Sequence, residues 1–284
     1  MSTPRAFEAP PPSGDTRVDA LRSLLAIVDR LRAGDGCPWD LKQTLASVAP
    51  HLIEESHELL EAVEMAPSAE VGNIVEEAGD LLMGIFLLSR IGQDEARFDI
   101  ARVANAVCEK LIRRHPHVFG EGEAKDAEAA LSNWEAIKRA ERGAKAEDAS
   151  ALAGAPVAMP ALQRAKRLGE KALSAGFRWA DARGALSKLK EEMEELEAAF
   201  EEAQGPNAGE VERAHLEHEL GDVLLAAAFL GNYVSLDPER AARLALRRFE
   251  ARFRWMEGAL ARPLADCSLA EMMAAWGKAK EQVG

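Results

Sequence analysis

Apolar residues recur along this chain at the three- and four-residue spacing of a buried helix face. Val18, Leu21, Leu24, Leu25, Val28 and Leu31 form one such stripe. Leu81, Leu82, Ile85, Phe86 and Leu88 form another directly after Asp80, and Val223, Leu224, Leu225, Phe229 and Leu230 follow Asp222 in the same relative place. Gly34, Gly36 and Pro38 interrupt the first part of the chain, and Gly176 interrupts the second. The run from Ala151 to Pro160, rich in Ala, Gly and Pro, separates the two parts. β-Branched residues are sparse and Ala, Leu, Glu and Arg dominate, which favours helix over strand.

The polar positions repeat as well. Glu54-Glu55-Ser-His-Glu58 is followed by Glu77-Ala-Gly-Asp80, and Glu191-Glu192-Met-Glu-Glu195 by Glu219-Leu-Gly-Asp222. Each copy reads E-E-x-x-E, a gap, then E-x-x-D. Acids three apart share one helix face. The midpoint of the first gap is Pro67-Ser68 and that of the second is Asn207, beside Pro206. Each copy is therefore expected to be an antiparallel helical hairpin whose turn lies at the proline, with its two acid pairs facing each other. The copies agree further. Gly36-Cys-Pro-Trp39-Asp precedes the first hairpin and Gly176-Phe-Arg-Trp179-Ala-Asp the second. Lys110 and Arg114 are mirrored by Arg248 and Arg252, and Trp134 and Lys138 by Trp276 and Lys280. Features recurring in one order indicate duplication. The expected architecture is all-α: a flexible tail over 1–16, a first domain over 17–150, a linker over 151–160 and a second domain over 161–284. Each domain has a four-helix-like core around its acidic hairpin.

Composition narrows the function. A formal net charge of −13 argues against a general nucleic-acid or anionic-membrane binder. Residues 1–16 hold four prolines and no apolar core, so they do not read as a signal peptide. No stretch approaches the roughly 20 apolar residues that span a bilayer. Cys37, Cys108 and Cys267 share no metal-type spacing and read as reduced thiols. A soluble, cytoplasmic protein is expected.

Four carboxylates brought to one point repel unless cations lie between them, and all-oxygen ligands suit Mg2+ or Mn2+. With Lys, Arg and Trp on neighbouring faces, the set fits a metal-chelated polyphosphate bearing a base. No G-x-x-x-x-G-K-[ST] loop is present. A lone acid pair on a helix is ordinarily a solvated face, and lone cations are ordinarily surface charge; duplication outweighs that reading for the acids. Trp134 and Trp276 fit core packing as well as a binding role, and Trp39 and Trp179 lean to structure. Glu54-x-x-His57 and Glu212-x-x-His215 also match the element used by di-iron bundles. The residues aligned with His57 and His215 are Glu194 and Asn73, so the acids recur and the histidines do not. His115 and His117, flanking Pro116, read as helix-end caps.

The doubled E-E-x-x-E…E-x-x-D pattern, Gly36-Cys-Pro-Trp-Asp, the run from Arg113 to Phe119 and Trp134-Glu-Ala-Ile-Lys138 resemble the MazG family of the all-α NTP pyrophosphatase superfamily. The resemblance spans about Val18 to Lys280. It implies Mg2+-dependent hydrolysis of NTPs and dNTPs to the monophosphate and pyrophosphate, by a homodimer whose subunits complete each other's sites. It implies metal ligands at Glu55, Glu58, Glu77 and Asp80, and at Glu192, Glu195, Glu219 and Asp222. Glu54 and Glu191 would orient or deprotonate water. Lys110, Arg114, Lys138, Arg248, Arg252 and Lys280 would contact phosphate, and Trp134 and Trp276 would line the nucleotide sites. The family's second domain carries most of the activity in two-domain relatives and usually has Lys where this chain has Arg248. Two other readings of the residues stay open: a nucleotide-binding regulator with little turnover, and a metal-dependent hydrolase of another phosphorylated metabolite.

Overall fold

The computed structural model describes residues 10–65, 71–144, 150–205 and 208–283. Among these residues it contains twelve α-helices, one short 3-10 turn (Leu264–Asp266) and no strand. The chain divides between Glu141 and Arg142 into two compact units.

The first unit runs α1 (Thr16–Leu31), α2 (Pro38–Lys42), α3 (Leu45–Met65), α4 (Val71–Asp94), α5 (Ile100–Arg114), α6 (Pro116–Phe119) and α7 (Ala127–Ala144). Asp15 starts α1 by accepting a hydrogen bond from the Arg17 amide, so the helix begins at the end of the expected tail. Thr44 and Ser47 start α3 reciprocally: the Thr44 amide donates to Ser47 Oγ and the Ser47 amide to Thr44 Oγ1. The long helices α3 and α4 pack against each other, with α1 and α5 on α4. Val28, Val48, Phe86, Leu87 and Ile91 form the buried centre, backed by Leu24, Leu25, Leu52 and Leu82. The expected stripe on α1 is buried only in its C-terminal half, because Val18 and Leu21 remain exposed.

The second unit runs α8 (Ala161–Ser174), α9 (Ala182–Ala203), α10 (Glu210–Tyr233), α11 (Pro238–Leu260) and α12 (Leu269–Gln282). Here α9 packs on α10, α8 on α10 and α11, and α12 on α11. The hairpin pairing and the packing of α8 and α11 on α10 follow α3 with α4 and α1 and α5 on α4, whereas the close pairing of α11 with α12 has no equally extensive counterpart in the first unit. The buried apolar positions are mostly small: Ala185, Ala199, Ala226, Ala228, Ala275 and Ala279 join Met256, so these helices meet largely with small residues between them. The buried Lys171 of α8 donates its amine to the Ala153 carbonyl at 2.7 Å and ties the 151–160 run to the second unit. Both expected hairpin turns, at Pro67-Ser68 and at Asn207, fall outside the described residues.

Candidate active site

The hairpin packing decides where the acids meet. On α3, Glu55 and Glu58 lie one turn apart; on α4, Glu77 and Asp80 do the same. Oxygens of Glu55, Glu77 and Asp80 lie within 4.8 Å of one another, as do those of Glu192, Glu219 and Asp222 on α9 and α10. Three of the four expected ligands thus converge in each copy. The fourth stands beside them: Glu58 is close enough to raise the Glu77 pKa, and Glu192 to raise that of Glu195.

A divalent cation fits these residues on chemical grounds. Desolvation, then the negative charges of Asp80, Glu58 and Glu54, hold the Glu55 carboxyl above its ordinary pKa. Desolvation, then Glu58, Glu76 and Asp80, do the same to Glu77. Such a site is short of positive charge and offers oxygen ligands alone, the combination that hard cations relieve.

The second copy is more buried and already compensated. Glu192 and Glu219 are each 8 % exposed. Lys188, one turn before the acids on α9, sits 2.7 Å from Glu191 Oε1 and 2.9 Å from Glu192 Oε1. It holds the Glu192 carboxyl below its ordinary pKa despite burial, and its own pKa is raised by Glu191 and then Glu192. His215 Nε2 lies 3.2 Å from Glu219 Oε1, and its Nδ1 lies 3.2 Å from Glu202 Oε2. His218 Nε2 lies 3.3 Å from Asp222 Oδ2. In the first copy the aligned positions hold His51, Asn73 and Glu76. Of these, His51 makes a 3.8 Å contact to Glu54, one of the two leading acids, and Glu54 is exposed.

The cation rows differ in the opposite sense. In the first unit Arg114 donates Nε and Nη2 to Glu141 Oε2 at 3.1 and 2.6 Å, and Arg113 donates Nε to Oε1 at 2.6 Å. These guanidinium groups draw the Glu141 pKa down to about 2. Trp134 is half-buried between two cations: the Arg114 guanidinium carbon is 5.4 Å from its ring centre and Lys138 Nζ 4.6 Å. Lys110 is exposed on the same helix as Arg114. In the second unit Trp276 packs 5.4 Å from Phe249, Arg248 and Lys280 are exposed, and Arg252 Nε is buried with no hydrogen-bond partner among the described residues. Val283 stands where Glu141 stands in the first copy.

Trp39 and Trp179 part company. Trp39 is 54 % exposed with its ring edge-on to His51, whereas Trp179 packs on Tyr233 and donates its backbone amide to the Tyr233 hydroxyl. His115 ends α5 as expected, with Nδ1 2.7 Å from the Leu111 carbonyl oxygen. Residue types alone do not single out Lys188, His218 or Glu141, and they flag His215 only through its spacing from Glu212. Lys188 had a readable signal, its position three and four residues before two glutamates. Glu141 reaches Arg114 only through the packing of α7 near α5.

Comparisons with known proteins bear on the family. The family model described as the MazG nucleotide pyrophosphohydrolase domain matches residues 43–119, which hold α3 to α6 and the first acid set. A nucleoside triphosphate pyrophosphohydrolase of Escherichia coli K12 is 36 % identical over 263 residues, covering 91 % of this chain and 96 % of that protein. The nucleoside triphosphate pyrophosphohydrolase/pyrophosphatase MazG of Thermotoga maritima is 36 % identical over 260 residues, covering 90 % and 94 %. The uncharacterised YabN of Bacillus subtilis is 37 % identical over 259 residues, 90 % of this chain and 50 % of that protein. With a doubled acid hairpin in an all-helical chain and relatives matched over nearly the whole length, the chain belongs to the MazG family of nucleotide pyrophosphohydrolases and is an enzyme.

Proposed function

We propose that this enzyme hydrolyses nucleoside triphosphates, both NTPs and dNTPs, to the nucleoside monophosphate and pyrophosphate, and that it requires Mg2+, with Mn2+ as a substitute. The observation that carries the reading is the pair of three-carboxylate clusters, each followed along the chain by a row of cations and a tryptophan on later helices of the same sequence unit. The ligands would be Glu55, Glu77 and Asp80, with Glu58 beside them, and Glu192, Glu219 and Asp222, with Glu195. When bound, Mg2+ would neutralise phosphate charge and make a neighbouring water more acidic.

The chain's own groups do the rest. Glu54 or Glu191, next in sequence to a ligand, orients the attacking water and takes its proton. The water oxygen bonds to the α-phosphorus as the bond to the bridging oxygen breaks, and pyrophosphate leaves. Lys110, Arg114 and Lys138, or Arg248, Arg252 and Lys280, neutralise the charge that builds on the leaving group. Trp134 or Trp276 lines the nucleotide.

No single described helix is long and apolar enough to cross a membrane. A cytoplasmic homodimer is our reading of the quaternary state, supported by the large apolar side chains left exposed on the hairpin helices. The two sequence units over 17–150 and 161–284 would each supply one acid set.

Product analysis over a panel of NTPs and dNTPs tests the proposal. The expected result is monophosphate plus pyrophosphate, lost on chelation of the divalent cation. Diphosphate plus orthophosphate would refute it, and tight nucleotide binding without turnover would favour a regulator instead.

A further inference from the structure

The two acid clusters look alike in sequence and differ in what already touches them. In the second, each of the three converging carboxylates has a basic group against it: Lys188 on Glu192, His215 on Glu219 and His218 on Asp222. In the first, no basic side chain contacts Glu55, Glu77 or Asp80 among the described residues; the aligned positions are His51, Asn73 and Glu76. Glu76 adds negative charge where His218 supplies a nitrogen. Lys188 bears a full positive charge at neutral pH. It lies within 2.9 Å of an oxygen that a cation would need. The two imidazoles stand close against further carboxylate oxygens, at 3.2 Å from Glu219 and 3.3 Å from Asp222.

We propose that the two clusters bind a divalent cation with unequal affinity, the first more tightly, and that Lys188, seconded by His215 and His218, sets the difference. The inference rests on the metal-binding reading above and adds to it an order between the sites. A cation entering the first cluster relieves repulsion among bare acids. One entering the second must first displace internal partners from the same oxygens. The second cluster is then the one that depends on the cation arriving with a nucleotide, whose phosphates supply further ligands.

The test is nucleotide-free titration of the full chain with Mn2+, followed by electron paramagnetic resonance, and with Mg2+ by calorimetry. Two classes of site are expected, and Asp80→Asn should remove the tighter one. Lys188→Met should tighten the weaker class about tenfold, the Coulomb effect of one unit charge on a divalent ion roughly 6 Å away in water. The reciprocal His51→Lys should weaken the tighter class by a similar factor, which covers the case in which Lys188→Met does not fold. Equal affinities in the wild type, loss of the tighter class in Asp222→Asn rather than Asp80→Asn, or affinities indifferent to residues 51 and 188 would overturn the proposal. Absence of any bound cation at either cluster would overturn the metal reading along with it.

Discussion

Arg114 and Arg252 occupy aligned positions and face different neighbours. Glu141 takes two N–H groups of Arg114, whereas Arg252 Nε is buried without a hydrogen-bond partner among the described residues. A guanidinium already matched by a carboxylate has less to offer a phosphate. At saturating Mg2+ the second unit should therefore carry most turnover, even with the weaker intrinsic cation site. Glu219→Gln or Asp222→Asn should lower kcat/KM by more than about 100-fold, beyond the ~10–100-fold typical of residues that merely support a ligand. Glu77→Gln and Asp80→Asn should leave more activity, and Arg248→Lys should preserve or raise it. Steady-state kinetics of the five variants decides; dead Glu77 and Asp80 variants beside active Glu219 and Asp222 ones would reverse the assignment. Glu141 also makes an acid-stability prediction. Its folded pKa of about 2 lies below the ordinary value, so its ion pairs stabilise the fold above about pH 4.5 and cease to do so as the pH falls toward 2. Glu141→Gln should melt below the wild type at pH 7, with the gap narrowing as the pH drops; a gap independent of pH would show that the charge is not what matters. Much of the acid set was legible because acids three apart on two helices must meet if the helices pair. Its basic partners were not. His215 has no counterpart in the first copy, and a filter built on repetition discards what distinguishes the copies.

The hairpin helices were legible as elements because their apolar spacing continues past each acid pair. Their ends were not, since close approaches between helices fix them. Near the end of α4, a Cβ added to the buried Gly92 would meet the Phe98 ring at 2.6 Å, and the Gly92 carbonyl accepts amides from Arg97 and Phe98. The chain turns there through Ala96, which holds a positive φ of 53°. Gly92→Ala must push the ring away and should cost about 1–3 kcal/mol. Gly258 on α11 has nothing within 4 Å of such a Cβ, so Gly258→Ala should be neutral or stabilise by up to ~1 kcal/mol. Ser268 closes a capping box on α12, donating its amide to Glu271 and accepting the Glu271 amide in return. Ser268→Ala should cost about 0.5–2 kcal/mol. Chemical denaturation of the three variants orders them; a Gly92→Ala variant as stable as the wild type would mean that Phe98 moves freely and does not fix the turn.

At the scale of the whole molecule, the exposed apolar residues are the unexplained feature. Leu186, Met193 and Phe200 recur every seventh residue along α9 and stay exposed. On α10, Leu220 and Leu224 lie one turn apart and are 50 % and 51 % exposed. Isolated exposed leucines are ordinary, but a heptad row beside a second stripe on the hairpin that carries the acids is a surface with helix-packing geometry. Sequence periodicity could find the stripes and could not say which of them a single chain would bury, because that depends on where neighbouring helices end. A second copy of the chain is the occupant our proposal requires, and it couples assembly to catalysis because the stripe and the ligands share α9 and α10. Sedimentation equilibrium at micromolar concentration should give a dimer. Leu224→Asp puts a charge where the partner helix would pack, and should raise the dimer dissociation constant by more than about tenfold, the effect of ~1.4 kcal/mol. Helical content by circular dichroism should hold, since the site is half-exposed within one chain. Turnover should fall in step with the dimer fraction and recover as protein concentration rises. A wild type that sediments as a monomer with full activity would separate the stripe from catalysis and leave each acid cluster to work within one chain.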